Sequence, residues 1–276
     1  MVSVKSFLNM TIFVQETKFY VVFLYSFDFL LFVMVRKSRK GREEWKIYKN
    51  VFDSFTERNI FSLSSQGYFE ELIQPIALGK EANVFLARRK DDTFVAVKIY
   101  RLENCNFNKM YTYIRSDPRF LGLENQKRKI VFNWVQREYR NLLIARAKTR
   151  VPNPITFKDN IIVMEFIGDE RNAAPMLKDA FPENPEEFFE EVIQGIFGLL
   201  ETGLVHGDLS DFNILNHEEK PVFIDMSQGT VLKDNDSENL LRRDLKNVFN
   251  VFKSLKFDEE QITKKLVDKL LLEKNK

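Results

Sequence analysis

The stretch Leu204–Leu215, LVHGDLSDFNIL, sets four strongly polar side chains, His206, Asp208, Asp211 and Asn213, within eight residues between apolar flanks. Polar groups in a half-buried segment cost free energy unless something satisfies them. A chain that carries this segment must fold so that either a tight loop or a metal and a phosphate meet those groups. A second run makes a similar demand. Lys98 lies inside FVAVKIY, and an ammonium on an apolar strand needs an anion or a snorkelling route to water.

The chain has room for such an arrangement. Its 276 residues suit one large domain or two small lobes, and 44% hydrophobic with 30% charged residues is a globular balance. Forty-two basic against forty acidic residues leave a net charge of +2, which makes no electrostatic case for a nucleic-acid binder. Basic clusters at 36–42, 126–129 and 146–150 fit either a basic face or solvated helix faces. One cysteine, Cys105, excludes an internal disulfide framework, and two histidines, His206 and His217, exclude a zinc constellation. A reducing, cytoplasmic setting is the expectation.

The N-terminus does not fit that setting. Residues 20–35, YVVFLYSFDFLLFVMV, are almost wholly apolar, and RKSRKGR follows at 36–42. As a helix, such a segment rises only about 24 Å, short of a ~30 Å hydrocarbon core, and Asp28 sits in its middle. The preceding QETKF is no signal-peptide n-region. A gene start set too far upstream, with Met34 as the true beginning, is preferred over a membrane or interfacial anchor and over a part of the fold. Residues 1–33 are therefore set aside, and no membrane association is expected of the remaining domain.

From Glu43 to about Ile60, aromatic and aliphatic residues at near-helical spacing predict an amphipathic helix. YFEELIQPIAL, ANVFLARR and FVAVKIYR predict three strands, with Lys90-Asp91-Asp92 as a hairpin turn, and residues 102–126 predict a long irregular loop. Residues 127–148 predict a helix with Val131, Trp134, Val135, Tyr139, Leu142 and Leu143 on one side. Two more strands, PNPITF and NIIVMEF, lead to a hinge near 164–168. Helices at roughly 185–203, 235–254 and 258–274 and a strand PVFID complete the chain. The expected organisation is a basic packing segment at 34–60, a small β-rich lobe at 61–164 and a helical lobe at 165–276, with a nucleotide-sized crevice between the lobes.

The chemistry-bearing residues fall in an informative order. ALGKEANV, residues 77–84, keeps Gly79 alone of the three glycines in the phosphate-covering loop of protein kinases, and a plain strand–turn–strand would also explain it. Lys98 follows in VAVK, close to the VAIK that supplies the phosphate-pairing lysine of kinases, and Glu138, in mid-helix, is its expected partner. Asp208 and Asn213 are spaced five apart, as are the catalytic aspartate and metal-binding asparagine of a kinase catalytic loop. VFID then ends on Asp225, so Asn213 and Asp225 supply the one or two protein oxygens that Mg²⁺ takes beside substrate phosphates. His206 is expected to be a packed loop histidine and Asp211 a turn cap.

LGKEANVF, VAVKIY, VHGDLSDFNIL and FIDMSQ together resemble the RIO-type atypical protein kinases over about residues 43–254. They are closer to the subfamily that carries Ser-Gln after the metal aspartate and has no N-terminal winged helix. The resemblance implies an α+β, bilobal protein-kinase-like fold, with a small β-rich lobe, one main helix and a truncated helical lobe. It implies ATP and Mg²⁺ as cofactors, serine/threonine kinase or ATPase activity through an aspartyl-phosphate, and a role in maturation of the small ribosomal subunit. By position, Asp208 would accept the proton, Asn213 and Asp225 would bind Mg²⁺, and Asp225 would also be phosphorylated. Lys98, held by Glu138, would contact the phosphates beneath Gly79 and Lys80. Glu165 and Ile167 would offer backbone groups to adenine, with Ala96, Met164 and Leu215 lining its pocket. Ser227 is a candidate for autophosphorylation or γ-phosphate contact. Gly207 replaces the kinase arginine, DMSQ replaces DFG, and only 51 residues follow Asp225, so recruitment of a flexible peptide substrate is not expected. Two other functions compete: a small-molecule phosphotransferase of the aminoglycoside- or choline-kinase type, which shares HGDxxxxN, and a nucleotide-gated assembly factor without catalysis.

Overall fold

A computed structural model describes residues 14–15, 18–19, 52–103, 106–114 and 126–275. The chain folds as a five-stranded antiparallel sheet with helices on both faces, joined to a mainly helical lobe. The segment singled out at 20–35 and the basic cluster at 36–42 lie outside the described residues. Among the described residues no helix is long and apolar enough to cross a membrane.

The first described helix, α1 (Ser54–Ser65), starts later than the apolar periodicity predicts. Of the predicted span, residues 43–51 lie outside the described residues, and Phe52 and Asp53 precede the helix. The cause is local: Asp53 is an N-cap, its carboxylate accepting from the Phe55 and Thr56 amides at 2.9 and 3.1 Å. The helix then runs on to Ser65, through residues assigned in sequence to the strand region.

Strands β1 (Glu71–Leu78), β2 (Ala82–Arg88), β3 (Phe94–Tyr100), β4 (Pro154–Lys158) and β5 (Ile161–Glu165) lie in the order β1-β2-β3-β5-β4. Strand β3 is central, and its side chains alternate between two apolar layers. Val95, Val97 and Ile99 pack with Ile60 and Leu63 of α1. The opposite face, with Ala96, Lys98 and Tyr100, meets the long helix α3 (Lys127–Ala145), whose Ile130, Val131, Trp134 and Val135 form a second core with Tyr100. Lys98 is thus on the covered, α3-facing side, and snorkelling to water is excluded by its 6% exposure. Leu143, grouped in sequence with the buried stripe of α3, is instead exposed.

Residues 102–126 are not wholly irregular as expected. Helix α2 (Phe107–Ile114) forms there because Phe107, Met110 and Tyr111 make an i, i+3, i+4 stripe that packs on the same core. Residues 115–125 lie outside the described residues.

The helical lobe is built on α4 (Pro185–Glu201), α5 (Ser237–Val251) and α6 (Glu259–Lys274) around one continuous core that includes Phe188, Ile196, Leu241 and Phe252. A hairpin of β6 (Ile214–His217) and β7 (Lys220–Phe223) lies at its top. Because Ile214 pairs with Phe223, the residues just outside the open end of this hairpin, Asn213 and Asp225, come out side by side. The Ile224 amide donates to the Asn213 carbonyl at 3.0 Å and fixes that juxtaposition.

Candidate active site

Lys98 is the centre of the site. Its Nζ lies 2.7 Å from Glu138 Oε1 of α3 and 3.1 Å from Asp225 Oδ1 of the helical lobe. Burial opposes a charge on Lys98, but the Asp225 and Glu138 carboxylates outweigh it and raise the lysine above its usual pKa. Lys98 therefore stays an ammonium. The second oxygen of Glu138, Oε2, accepts from the Tyr100 hydroxyl at 2.5 Å. Tyr100 is two residues from Lys98 on one strand, hence on the same face, and the Lys98 ammonium lies 5.1 Å from its ring centre.

Asp225 sits at φ 61°, ψ 64°, a left-handed backbone that few residues other than glycine adopt. That geometry turns the chain from β7 into the short 3₁₀ turn Met226–Gln228 and lets Asp225 cap it. Ser227 Oγ donates to Asp225 Oδ1 at 2.6 Å. Burial alone would raise the Asp225 carboxyl; Lys98, then Ser227, outweigh it and hold it below the ordinary value. Two-fifths of the Asp225 side chain remains exposed. Asn213 Nδ2 donates to the Asp208 carbonyl at 2.8 Å, which turns its Oδ1 the other way. The donor chemistry of the residues present fits a hard divalent cation: an amide oxygen on Asn213 and a carboxylate on Asp225, the latter partly exposed.

Asp208 accepts from Gln228 Nε2 at 2.6 Å. The loop that carries it is held from below by Asp244 of α5, whose two oxygens accept from the Gly207 and Leu209 amides at 2.7 and 2.9 Å. Arg243 donates to the Gly207 carbonyl and Asn247 to that of Leu209. Gly207 has φ +78°, and a Cβ there would lie 2.9 Å from the Gln228 carbonyl oxygen. His206 is a packed residue, as expected: Nε2 lies 3.1 Å from the Ile224 carbonyl, and burial pushes the imidazole down to about 4. Helix α3 is tied to the same turn by Asn141, which donates to the Met226 and Gly229 carbonyls, and by Arg137, which donates to that of Gly229.

Gly79 makes the tight turn between β1 and β2; its amide bonds the Ala82 carbonyl at 3.0 Å, and a Cβ would sit 2.8 Å from that oxygen. Lys80 is exposed on the turn. Ala96 and Met164 are paired across β3 and β5, and Leu215 packs with Ile167. The Glu165 side chain is held in a two-toothed pair with Arg150 at 2.7 and 2.8 Å. Its amide donates to Asn153, and the Ile167 carbonyl accepts from Ala174.

Sequence reasoning missed Tyr100, Gln228, Asn141 and Asp244. Asp244 did carry a signal: it interrupts the apolar stripe Leu240, Leu241, Leu245, Val248, and a carboxylate on a buried stripe needs donors. Ser227, a candidate for autophosphorylation, is buried, with its hydroxyl given to Asp225.

The profile of the RIO domain matches residues 83–265. A RIO-type serine/threonine-protein kinase Rio1 of Haloferax volcanii is 40% identical over 219 residues, covering 79% of this chain and 76% of the relative. The chain belongs to the RIO family. The Rio1 protein of Methanocaldococcus jannaschii is 38% identical over 226 residues, 82% of this chain and 78% of that one. RIO membership makes the chain a phosphotransferase. A solved Rio2 kinase from Chaetomium thermophilum, in a complex with ADP/Mg²⁺ and phosphoaspartate, superposes with a TM-score of 0.57 at 20% identity. The match covers 75% of this chain and 64% of the Rio2 chain, and at that identity it shows the bilobal kinase-like fold alone.

Proposed function

We propose that this RIO protein is an ATP- and Mg²⁺-dependent kinase and ATPase whose cycle passes through an aspartyl-phosphate on Asp225. The observation that carries this is the junction of Lys98 with both Glu138 and Asp225, which puts a permanent cation and an open carboxylate oxygen at one point between the lobes. Lys98 pairs the phosphates and Glu138 holds it there, beneath the Gly79–Lys80 turn. Adenine takes backbone groups of Glu165 and Ile167 at the hinge. Asn213 and Asp225 hold Mg²⁺, which when bound neutralises phosphate charge.

Asp225 then forms a bond from a carboxylate oxygen to the γ-phosphorus as the bond to the β–γ bridging oxygen breaks and ADP leaves. Water hydrolyses the acyl-phosphate, and its proton goes to Asp208. Asp208 serves equally as proton acceptor when a protein hydroxyl is the nucleophile. The lobes are assigned to 61–164 and 165–276, with 34–60 as a basic packing segment. Family resemblance supports the precursor small ribosomal subunit as the partner, in the cytoplasm, and the Rio2 complex with phosphoaspartate supports the acyl-phosphate. ATP hydrolysis measured for Asp208→Ala and Asp225→Ala tests the enzymatic reading: loss in both is expected, and turnover equal to the unaltered protein in both overturns it.

A further inference from the structure

The turn Met226–Gln228 gives each of the two working carboxylates its own donor. Ser227 Oγ donates to Asp225 Oδ1 at 2.6 Å, and Lys98 reaches the same oxygen at 3.1 Å. The Tyr100 hydroxyl lies beside Ser227, but its proton goes to Glu138 Oε2. Among the described residues, three of the four oxygens of Glu138 and Asp225 therefore carry a donor, and Asp225 Oδ2 is the fourth. The next residue, Gln228, is 8% exposed and gives its amide Nε2 to Asp208 Oδ2 at 2.6 Å. Its own Oε1 is buried without a partner among the described residues. Reversing the amide would satisfy nothing, because Oε1 would then face a carboxylate. An orphaned buried acceptor is costly, so its retention next to Asp208 calls for an explanation.

We propose that Ser227 and Gln228 are positioning residues that bias phosphoryl transfer toward Asp225 and away from hydroxyl acceptors. The inference rests on the acyl-phosphate reading above. Two routes compete for the same γ-phosphoryl group. In one, Asp225 Oδ2 bonds to phosphorus, the bond to the β–γ bridging oxygen breaks and ADP leaves, with no proton to remove. In the other, a hydroxyl oxygen bonds to phosphorus, the same bond breaks, and the hydroxyl proton passes to Asp208. Ser227 holds Oδ1 of Asp225 and leaves Oδ2, without a donor among the described residues, to form the bond to phosphorus. Gln228 holds Oδ2 of Asp208, so a hydroxyl that hands its proton to that oxygen must displace a buried amide. Each aspartate thus has one oxygen held, but only the second route asks its aspartate to take up a proton, and the Gln228 amide competes with that proton.

The test uses the full chain with γ-labelled ATP, Mg²⁺ and dephosphorylated casein as the hydroxyl acceptor. Hydroxylamine-labile label on the protein is counted against acid-stable label on casein. Gln228→Met removes the donor at similar length, and Gln228→Leu serves should it fail to fold by thermal melting. Either is expected to raise the ratio of casein label to labile label about tenfold, the size of one hydrogen bond to a charged group. Ser227→Ala is expected to cut the labile label by about tenfold and Ser227→Thr, which keeps the hydroxyl, to restore it. An unchanged or lowered ratio in a folded Gln228 variant, or wild-type labile label in Ser227→Ala, overturns the proposal. Asp225→Asn separates the two levels. If it retains ATP hydrolysis and label, the acyl-phosphate reading has failed. If it loses the labile label while the Ser227 and Gln228 variants match wild type, only the positioning inference has failed.

Discussion

Lys98 of the sheet and Asp225 of the helical lobe are in direct contact, Nζ to Oδ1 at 3.1 Å, while Glu138 holds the same ammonium at 2.7 Å from the other side. The two lobes are thus joined directly by this ion pair. Lys98 and Glu138 form a buried pair, where removing one partner is worse than never having the pair, while Asp225 keeps two-fifths of its side chain exposed.

Lys98→Met should therefore do two things. It leaves the buried Glu138 without its cation, which costs roughly 3–5 kcal/mol of stability by analogy with broken buried pairs. It also lowers ATP turnover by on the order of a hundredfold or more, since an oriented charge at the transferred group is lost. Urea unfolding and steady-state hydrolysis check the two effects separately. A fully active, equally stable Lys98→Met protein contradicts the geometry described.

Asp244 provides a test away from the phosphates. Asp244→Ala orphans two buried amides, each worth about 1–3 kcal/mol, and loosens the loop that carries Asp208, so both the urea midpoint and turnover should fall.

The same residue predicts a pH dependence. Burial pushes the Asp244 carboxyl up to about 7, against the pull of its two amide donors and Arg243. Its unfolded value is about 3.9, so the folded state binds this proton more tightly. The resulting stabilisation is complete below about pH 4 and is lost as pH rises through about 7. Asp244→Asn has no such proton. The stability of wild type relative to Asp244→Asn should fall between pH 5 and pH 7 and level off above. A difference that stays constant from pH 5 to pH 8 contradicts this.

Asp53 caps α1 far from the cleft. Asp53→Ala should cost about 0.5–2 kcal/mol in unfolding free energy and leave ATP turnover per folded molecule unchanged. A large loss of turnover at full folding would reveal coupling between α1 and the site.

Much of the site was legible because its charges interrupt apolar runs. Lys98 in FVAVKIY, Asp208 and Asn213 in LVHGDLSDFNIL and Asp225 at the end of VFID each stand where a charge or amide is expensive without a partner. Periodicity also gave Glu138 an inward position, which its 1% exposure matches. What stayed hidden was pairing set by geometry outside the segment. Nothing in DMSQ shows that Ser227 turns to one aspartate and Gln228 to another, because a left-handed Asp225 decides it. The start of α1 was misplaced for a related reason: the apolar spacing before Ser54 continues past the capping aspartate, and periodicity does not register a cap.

The most direct measurement is the chemical character of the phosphorylated protein. The full chain, incubated with γ-labelled ATP and Mg²⁺, should acquire a label that is lost in hydroxylamine and absent from Asp225→Asn. An acid-stable, hydroxylamine-resistant label that persists in Asp225→Asn contradicts the aspartyl-phosphate cycle.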